Sequence, residues 1–514
     1  MMIRQLVGIL LLLVLTGCAV NPVTGRNELV LVGEGTELQI GAEQYAPLRQ
    51  MQGGDYSTQP QITAYVKDIG GRLAAVSDRQ LPYEFQVIND STPNAWALPG
   101  GKIAINRGLL TEMQSEAELA AVLGHEIIHA AARHSAQSMQ RGMLLQGAVI
   151  AATMAAGNSE YAGLAMGGAS IAAGLVSQKY SREAETEADY YGMLYMSRAG
   201  YDPAAAVELQ QTFVRLSEGR QSNWLEGLFA SHPPSQERVD ANRRTLESLP
   251  PGGERGEERY RRMMAPLLAA QKSYDAYDEG RKALNDNRVE RALALAEQAI
   301  AGEPKEALFY GLRGDALRKQ GRERDAIAAF DQALQRQPEY FHYYLQRGLA
   351  YQALGETGPA NADLERSVAL LPTAPAMNSL GQLALKQGDR TRAMEYFTGA
   401  AASDSPAGHQ AYASLVRLDL STNPTKYLKV DYALDRQGQL IVRLANQTPV
   451  SIGDITLEVG YDDPAGKRQQ IRLRIAGPVA AETTHQAATG LGPIADPGKV
   501  KNLGSRILAA RVVD

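Results

Sequence analysis

The sequence is poor in cysteine, histidine and tryptophan, and it carries no strong charge of either sign. Its 514 residues include one cysteine, Cys18, so no disulfide can form within the chain. The net charge of -5 and the lack of a basic stripe exclude nucleic acid as an expected partner. The apolar run Leu6–Leu15 is shorter than the roughly 20 residues that a membrane-spanning helix needs. With 44% hydrophobic and 21% charged residues, the composition indicates a globular protein of several domains.

The N-terminal residues have the features of a bacterial export signal. Met1–Arg4 carries one positive charge, the apolar run follows, and Leu15-Thr16-Gly17-Cys18 resembles a lipobox. We therefore expect a mature chain that begins at a lipidated Cys18; a plain secretory signal with an incidental cysteine is the alternative. Ala19 resembles sorting to the outer membrane, so a periplasmic protein anchored by lipid to the inner face of that membrane is predicted.

The alanine-rich stretch Glu116–Ala132 is predicted to be a helix and contains the HExxH pattern His125-Glu126-Ile127-Ile128-His129. Residues four apart lie on the same face of a helix, so both imidazoles can reach one metal ion. Glu126 is then close enough to take a proton from metal-bound water without being a ligand. The alternative is a pair of structural histidines, although composition gives such a pattern by chance in only about one chain per hundred of this length.

Glu185 is the best candidate for a third ligand, because a hydrolytic zinc usually has three protein ligands and one open position for water. In a helix over Ser181–Asp189, Glu185 and Asp189 share one face while Glu187 points elsewhere. Asp189 could then orient a ligand histidine by a hydrogen bond. Without the two histidines, a solvated helix face would be the better interpretation of this acidic cluster.

The segments HEIIHAAARH at residues 125–134 and SREAETEAD at residues 181–189 resemble the HtpX/Oma1-like gluzincin metallopeptidases. Asn21–Arg26, Asn94–Gly101 and Ser231–Pro234 resemble further segments of that group. With the repeats described below, the chain is most similar to the BepA-type outer-membrane-associated lipoprotein proteases.

The resemblance implies one Zn²⁺ ion per chain, held by His125, His129 and Glu185, with Glu126 as the general base. It also implies that His232 lies near the metal and acts in catalysis. A neutral imidazole there could be a fourth ligand in a resting state or could help to stabilise the oxyanion. His134, five residues after His129, points about 140° away from it on an ideal helix, and we expect a structural role.

A short strand is predicted at Lys102–Asn106, where polar and apolar residues alternate after two glycines. As an edge strand it could align an extended peptide by backbone hydrogen bonds; an internal strand is the alternative. The residues that this interpretation assigns to substrate binding are Gly101, Lys102, Ile103, Ala104 and Ile105. Between the two halves of the metal site, residues 142–178 are rich in Ala, Gly and Met. They predict a helical pair beside the cleft, with a partial membrane contact as the alternative.

Four segments after residue 272 repeat with a period of 34 residues, once 33. Each has a small residue where two helices would cross, a turn seven residues later and an alanine five further on, and three end in proline. This is the tetratricopeptide pattern, which forms a superhelix whose concave face usually binds a protein or peptide. The alternative is that the repeats serve only as a spacer. The crossing and turn positions are Gly280, Gly314, Gly348 and Gly381, and Asn287, Gly321, Gly355 and Gly388.

Alternating apolar and polar residues from Asn423 onward predict a small antiparallel β-sandwich without a catalytic constellation. Its predicted strands are 427–434, 439–445, 452–461, 468–475 and 506–513. The predicted fold is therefore multidomain: a mainly α zincin metallopeptidase domain with a small β-sheet, an α-helical tetratricopeptide solenoid and a C-terminal antiparallel β-sandwich. The predicted boundaries are signal and lipobox 1–18, peptidase 21–250, linker 251–272, repeats 273–406 and sandwich 423–514.

These features predict a zinc-dependent endopeptidase of the bacterial envelope. Its expected substrates are misfolded or stalled outer-membrane and periplasmic proteins, with the repeats docking substrates or assembly machinery. A chaperone-like or scaffolding protein with a self-inhibited zinc site is the alternative, because a fourth ligand would leave no position for water.

Overall fold

The structure is a computed structural model, and it describes residues 18–141, 180–219, 226–463, 465–494 and 501–513. The chain forms two compact units, Met1–Gln346 and Arg347–Asp514. The predicted helical pair at 142–178 lies outside the described residues. No helix in the described ranges is both long and apolar enough to cross a membrane.

The first unit is mainly helical and contains one small mixed sheet. Its elements before the repeats are β1 (Cys18–Val20), β2 (Asn27–Leu29), α1 (Glu34–Met51), α2 (Pro60–Ala74), β3 (Glu84–Ile88), β4 (Ala95–Leu98), β5 (Lys102–Asn106), α3 (Arg107–Leu110), α4 (Glu116–Ala131), α5 (Arg182–Arg198), α6 (Ala204–Gly219), α7 (Glu226–Ser231), α8 (Gln236–Glu247) and α9 (Glu257–Ala269).

Strand β5 has the predicted bounds, but it is the central strand of its sheet. The strand order is β3-β5-β4, with β3 parallel and β4 antiparallel to β5. Gly100 and Gly101 adopt φ values of +78° and +82°, and this turn folds β4 back onto one edge of β5. The prediction that Gly101 and Lys102–Ile105 form a substrate-binding edge is therefore wrong, because both edges of β5 are already hydrogen-bonded within the sheet.

Helix α4 is the buried centre of the first unit. Its N-cap Ser115 accepts a hydrogen bond from the Glu118 amide at 3.1 Å, which satisfies one free donor of the first turn. Alanine, leucine and isoleucine cover all its faces, so the helix is buried all round. It packs closely on α5 because Gly124 and Gly192 meet: a Cβ added to Gly192 would lie 3.1 Å from the His125 amide nitrogen.

The repeats form paired helices that cross at small residues, which confirms the tetratricopeptide prediction. Added Cβ atoms at Gly314 and Gly381 would lie 2.6 Å from the rings of Phe330 and Phe397. The turn residues have positive φ, from 61° at Asn287 to 84° at Gly388. The helices are α10 (Gln271–Asn285), α11 (Val289–Gly302), α12 (Ala307–Lys319), α13 (Glu323–Arg336), α14 (Phe341–Ala353), α15 (Thr357–Leu370), α16 (Ala374–Lys386), α17 (Arg390–Ala401) and α18 (Pro406–Asp419).

The carboxylate of Glu306, which caps α12, joins the first repeat helices to the segment before them, residues 21–250. It is fully buried and accepts hydrogen bonds from Asn89 Nδ2 at 3.0 Å and from Thr58 Oγ1 and Tyr274 Oη at 2.7 Å each. The Arg107 guanidinium lies 3.4 Å from the centre of the Tyr274 ring, and its Nε donates to Asn89 Oδ1 at 3.1 Å. Polar groups of both segments thus share one buried network.

A second contact between the same segments involves Gln50 of α1. Its side-chain amide bonds to the Glu339 carbonyl at 2.6 Å and to the Phe341 amide at 2.9 Å. The range 251–272, predicted to be a linker, contains helix α9, which buries three apolar or aromatic residues in the core: Tyr260, Met264 and Leu267.

The C-terminal part of the second unit has two three-stranded antiparallel sheets that share one hydrophobic core, in agreement with the predicted fold class. The sheet orders are β10-β7-β6 and β11-β8-β9. The predicted strands are present, and β10 is additional; its apolar residues are alanines, which give a weak strand signal. The strands are β6 (Leu428–Leu434), β7 (Leu440–Asn446), β8 (Ile452–Asp462), β9 (Arg468–Arg474), β10 (Thr484–Ala488) and β11 (Lys501–Val512), and a 3₁₀ turn (Pro424–Lys426) precedes them.

We predict that Glu306→Ala lowers the free energy of unfolding by about 3 kcal/mol or more, because it leaves several buried donors without an acceptor. Urea unfolding of the full chain measures this. Glu279→Ala is the matched control, since Glu279 is exposed and meets Arg291 only at 3.6 Å; its cost should stay below about 1 kcal/mol. Equal unfolding midpoints for the two variants would contradict the importance of the Glu306 network.

Candidate metal centre

Two helices bring the predicted ligands together. The Nε2 atoms of His125 and His129, one turn apart on α4, are 3.0 Å from each other. Glu185, in the first turn of α5, places Oε2 3.6 Å from His125 Nε2 and Oε1 3.4 Å from His129 Nε2. The close approach of α4 and α5 at their glycines therefore puts the carboxylate within reach of both imidazoles.

His232, directly after α7, provides a fourth donor. Its Nδ1 lies 3.3 Å from His125 Nε2 and 2.9 Å from Glu185 Oε1. All four donor atoms are within 4.8 Å of one another. Zinc bonds of about 2.0–2.2 Å in a tetrahedron put neighbouring ligand atoms about 3.3–3.6 Å apart. The spacing of the donor set and its chemistry, three imidazole nitrogens and one carboxylate, fit a divalent metal of this kind.

Asp189 orients His125, as predicted for a carboxylate one turn after Glu185. Its Oδ1 lies 2.9 Å from His125 Nδ1, so that the opposite nitrogen, Nε2, faces the other donors. Burial alone would raise the pKa of Asp189, but the charge and hydrogen bonds of Arg238 lower it below its usual value. Asp189 is therefore an acceptor for the His125 N–H.

His134 lies beside His129, contrary to the direction expected from an ideal helix. The two Nδ1 atoms are 2.9 Å apart, and His134 Nε2 is 3.4 Å from Glu187 Oε2. The expectation failed because α4 ends at Ala131 and Arg133 takes φ +65°, so the chain turns back before His134. His134 thus orients a metal-site histidine in the same way as Asp189.

Arg238 on α8 is a site residue that sequence reasoning missed. It is buried, and it donates to Asp189 from Nε at 2.8 Å and from Nη2 at 2.7 Å, while Nη1 lies 2.9 Å from Glu185 Oε2. Burial would raise the pKa of Glu185, but the neighbouring histidines, His232 first, hold it well below its usual value. One cation thus fixes the carboxylate ligand and the partner of His125. No pattern in the sequence distinguished Arg238 from the other arginines of α8.

Glu126 is buried next to the donors, and its Oε2 has no hydrogen-bond partner in the part of the chain that the structure describes. Its Oε1 lies 3.6 Å from His232 Nε2. Burial raises the pKa of Glu126 above its usual value, against the opposing effects of His232 and His125. A buried carboxylate with a free acceptor and a raised pKa is suited to accept a proton from water.

Comparisons with known proteins agree with this arrangement. Residues 59–246 match the model of Peptidase family M48, and residues 277–341 and 345–408 match a tetratricopeptide repeat model. The putative beta-barrel assembly-enhancing protease of Vibrio cholerae is 35% identical over 199 residues, 37% of this chain and 40% of that protein. The mitochondrial metalloendopeptidase OMA1 of Schizosaccharomyces pombe is 39% identical over 190 residues, 37% of this chain and 53% of that protein.

The beta-barrel assembly-enhancing protease of Escherichia coli (strain K12) is 26% identical over 326 residues, 57% of this chain and 65% of that protein. The alignments therefore span less than two thirds of each of these three relatives.

We predict that Arg238→Met weakens zinc binding by about 10- to 100-fold, because Asp189 and Glu185 lose the cation that fixes them. Competition with a chelator of known affinity measures the dissociation constant. Arg243→Met is the matched control on the same helix: Arg243 is half exposed and pairs with Asp240. If both variants bind zinc as the parent does, Arg238 has no part in holding the site.

Proposed function

We propose that the chain is a zinc-dependent endopeptidase of the bacterial cell envelope, because residues 59–246 match Peptidase family M48 and matches to a tetratricopeptide repeat model follow. The observation that carries the proposal is the convergence of His125, His129 and Glu185 beside the unpaired carboxylate oxygen of Glu126. These donors suit Zn²⁺, which favours imidazole and carboxylate ligands in such sites.

The mechanism assigns a separate task to each side chain. A zinc ion at these donors would supply Lewis-acid chemistry, which acidifies water and polarises the scissile carbonyl. Glu126 Oε2 accepts a proton from the attacking water, and Glu126 later delivers it to the leaving amine nitrogen. Asp189 and Arg238 keep His125 and Glu185 in place during these steps, so the positions of the donors do not change while charge develops.

His232 supports two versions of this proposal. If His232 Nδ1 bound a metal as a fourth ligand beside His125, His129 and Glu185, no position would be left for water. The observed arrangement then corresponds to a resting state, and His232 moves when substrate enters and is available to stabilise the oxyanion. In the second candidate function, His232 stays in this position permanently. The chain would then be a chaperone-like or scaffolding protein with a closed metal site.

Strand β4 replaces β5 as the proposed site for an extended substrate. Among the described strands it pairs with β5 alone, and it packs against α4, which carries the HExxH residues. Helix α7, which leads into His232, packs on the loop before β4: a Cβ added to Gly227 would lie 2.9 Å from Thr92 Cγ2. Ala95–Leu98 are buried, so the edge of β4 away from β5 would have to be uncovered before a peptide could pair with it. Such a peptide would be read through its backbone, which suits unfolded segments of many sequences.

The N-terminal hairpin supports anchoring at a membrane surface. Val20 and Leu29 lie on one face of the β1–β2 pair, because Val20 is opposite Asn27 and Asn27 is two residues from Leu29. Both are exposed, as is Leu31. Asn21 Nδ2 donates to the Ala132 carbonyl at 2.9 Å, which fastens the hairpin to the end of α4. A lipidated Cys18 would thus hold the metal centre close to the bilayer, with apolar side chains beside the lipid.

The envelope role follows from the relatives named as beta-barrel assembly-enhancing proteases. We propose misfolded or stalled outer-membrane proteins as substrates, with the repeats holding substrates or assembly machinery near the cleft. The anchor would keep the protein at the inner face of the outer membrane.

Glu126→Gln should reduce cleavage of casein or unfolded porin by at least about 1000-fold, because an amide cannot accept the water proton. Zinc content should stay the same. Glu183→Gln, an exposed residue on α5, is the matched control and should cleave at the parental rate. Treatment of the parent with a chelator should stop cleavage, and added zinc should restore it. Equal rates for Glu126→Gln and the parent would rule out the general base.

His232→Ala separates the two candidate functions. If His232 blocks the metal in a resting enzyme, the variant should cleave unfolded porin several-fold faster and bind zinc more weakly, since one of four ligands is gone. If the chain is a scaffold, parent and variant alike should leave the porin intact. If the variant has an unchanged zinc affinity and an unchanged cleavage rate, His232 has no role at the site.

Cys18→Ser should move the protein from the membrane fraction to the soluble periplasmic fraction, because a single hydroxyl cannot replace the lipid chains. Ala19→Ser is the matched control and should stay with membranes. Fractionation followed by immunoblotting measures the distribution. Retention of Cys18→Ser in the outer-membrane fraction would show that something other than lipid holds the protein there.

A further inference from the structure

The turn Asn21–Arg26, which joins β1 and β2, is fastened to the chain at the end of helix α4. Asn21 is buried, and its side-chain carbonyl accepts hydrogen bonds from the amides of Val23 at 2.9 Å and Thr24 at 3.1 Å. Its side-chain amide group donates to the Ala132 carbonyl at 2.9 Å. One side chain therefore closes this turn and also ties it to the residue that follows α4.

The last residue of this turn, Arg26, begins a series of contacts that ends at His129. Its guanidinium forms an ion pair with Glu187 Oε1 on α5. The other carboxylate oxygen, Glu187 Oε2, lies 3.4 Å from His134 Nε2, and His134 Nδ1 lies 2.9 Å from His129 Nδ1. The exposed fraction of the side chain falls from 71% at Arg26 to 19% at Glu187 and to 2% at His134. The contacts thus lead from the surface to a buried metal-site histidine.

One arrangement of protons on the neutral rings fits these contacts when His129 Nε2 binds a metal. Nε2 then presents its lone pair, so the proton of this ring is on Nδ1. His134 Nδ1 accepts the hydrogen bond from His129 Nδ1, and the proton of His134 is therefore on Nε2, which faces Glu187. An ionised carboxylate can only accept, so Glu187 sets the direction of both hydrogen bonds.

Tyr180 contacts the same imidazole in a different way. Its ring stacks on the His129 ring with the two centroids 3.9 Å apart, and its hydroxyl lies 2.8 Å from Ser135 Oγ. Stacking limits the tilt of the imidazole, but it does not distinguish one ring nitrogen from the other. The choice of the protonated nitrogen therefore depends on His134, which contacts Nδ1.

We propose that the turn Asn21–Arg26 is a positioning element of the metal centre, and that it acts through Glu187 and His134 to keep His129 Nε2 directed at the metal. The inference rests on the proposed function, because it requires a zinc ion at His129. Each residue of the series holds the next one in place, and the last hydrogen bond fixes both the orientation and the tautomer of the ligand.

The other imidazole of the HExxH motif has a comparable support. Asp189 accepts the hydrogen bond of His125 Nδ1, and Arg238 donates to Asp189. Each of the two imidazoles is therefore backed by a carboxylate that is paired with an arginine. For His129 a second histidine lies between the ring and the carboxylate, and the arginine comes from the N-terminal turn.

Zinc affinity of the full chain, measured by competition with a chelator, tests the role of His134. His134→Leu should weaken zinc binding by about 10- to 100-fold, because His129 Nδ1 loses its acceptor. His134→Asn should bind zinc within about threefold of the parent, since its side-chain oxygen can accept the same hydrogen bond. The proposal is overturned if His134→Leu binds zinc as the parent does, or if His134→Asn binds it as weakly as His134→Leu.

Glu187 and Arg26 are less buried, so their variants test the outer contacts without disturbing the core. Glu187→Ala should weaken zinc binding several-fold, and Arg26→Met by about twofold, as expected for an exposed ion pair. In a chain that already carries Glu187→Ala, Arg26→Met should not change the zinc affinity further, because its partner is absent. Glu183→Ala and Arg182→Met, both exposed on α5, are the matched controls and should bind zinc as the parent does.

The turn itself is tested by Asn21→Ala, which removes the hydrogen bond to the Ala132 carbonyl. This variant should bind zinc at least as weakly as Arg26→Met, because the turn is no longer fastened. Unchanged zinc affinity in Asn21→Ala would overturn the role of the turn. Additive losses from Arg26→Met and Glu187→Ala would overturn it too, since residues that act in series lose affinity only once.

Zinc binding and cleavage are measured separately, so a failure of this inference can be told from a failure of the proposed function. Zinc affinity that depends on His134 as expected, in a chain that cleaves no substrate, supports the positioning role and rejects the peptidase. Cleavage by the parent, with a zinc affinity that does not respond to His134, Glu187 or Arg26, supports the peptidase and rejects the positioning role. A parent chain that binds no zinc rejects both.

Discussion

The close contact between α4 and α5 is the constraint on which the metal centre depends. Gly124 and Gly192 allow the two backbones to approach, and an added Cβ at Gly124 would lie 3.2 Å from the Gly192 carbonyl oxygen. With larger residues there, the helix axes would move apart, and Glu185 would lose its reach to the imidazoles. The donor set therefore depends on backbone packing at Gly124, the residue directly before His125, and at Gly192, about two turns after Glu185.

The buried charges around the donors form a connected set. Arg238 bonds to Asp189 and lies beside Glu185, and both carboxylates contact a histidine. Such groups are costly to bury alone, but each satisfies another here. Two carboxylate oxygens of the site have no hydrogen-bond partner among the described residues: Glu185 Oε2, which forms an ion pair with Arg238, and Glu126 Oε2. The polar network thus immobilises the ligands and leaves free the one acceptor that the proposed chemistry needs.

Local sequence patterns predicted the metal site and the repeats well. The features that they did not predict depend on contacts between residues that are far apart in the sequence. The spacing of His125 and His129 is a property of one helix, and the repeat glycines and alanines report contacts within one hairpin, so both were visible in the sequence. The position of β5 in its sheet was not visible in the sequence. Alternating polar and apolar residues predict a strand, but they do not show how many other strands pair with it.

His134 and Arg238 show two further limits of sequence reasoning. A helical projection applies only while the helix continues, and Arg133 ends that continuity before His134. Arg238 reaches the centre from a separate helix, and nothing in an isolated polar helix reveals which of its arginines is buried. Both residues act through other side chains, and such partners become visible only when the helices are packed together.

The buried Glu306 carboxylate has a consequence for how far the active centre can reach. Asn89, Thr58 and Tyr274 all donate hydrogen bonds to this carboxylate. The first repeat is therefore in direct contact with the peptidase segment. If the repeat helices bind a polypeptide as proposed, they hold it at a fixed distance from the metal centre. The number of residues between the stretch that the repeats bind and a given peptide bond would then decide whether that peptide bond reaches the metal centre and is cleaved.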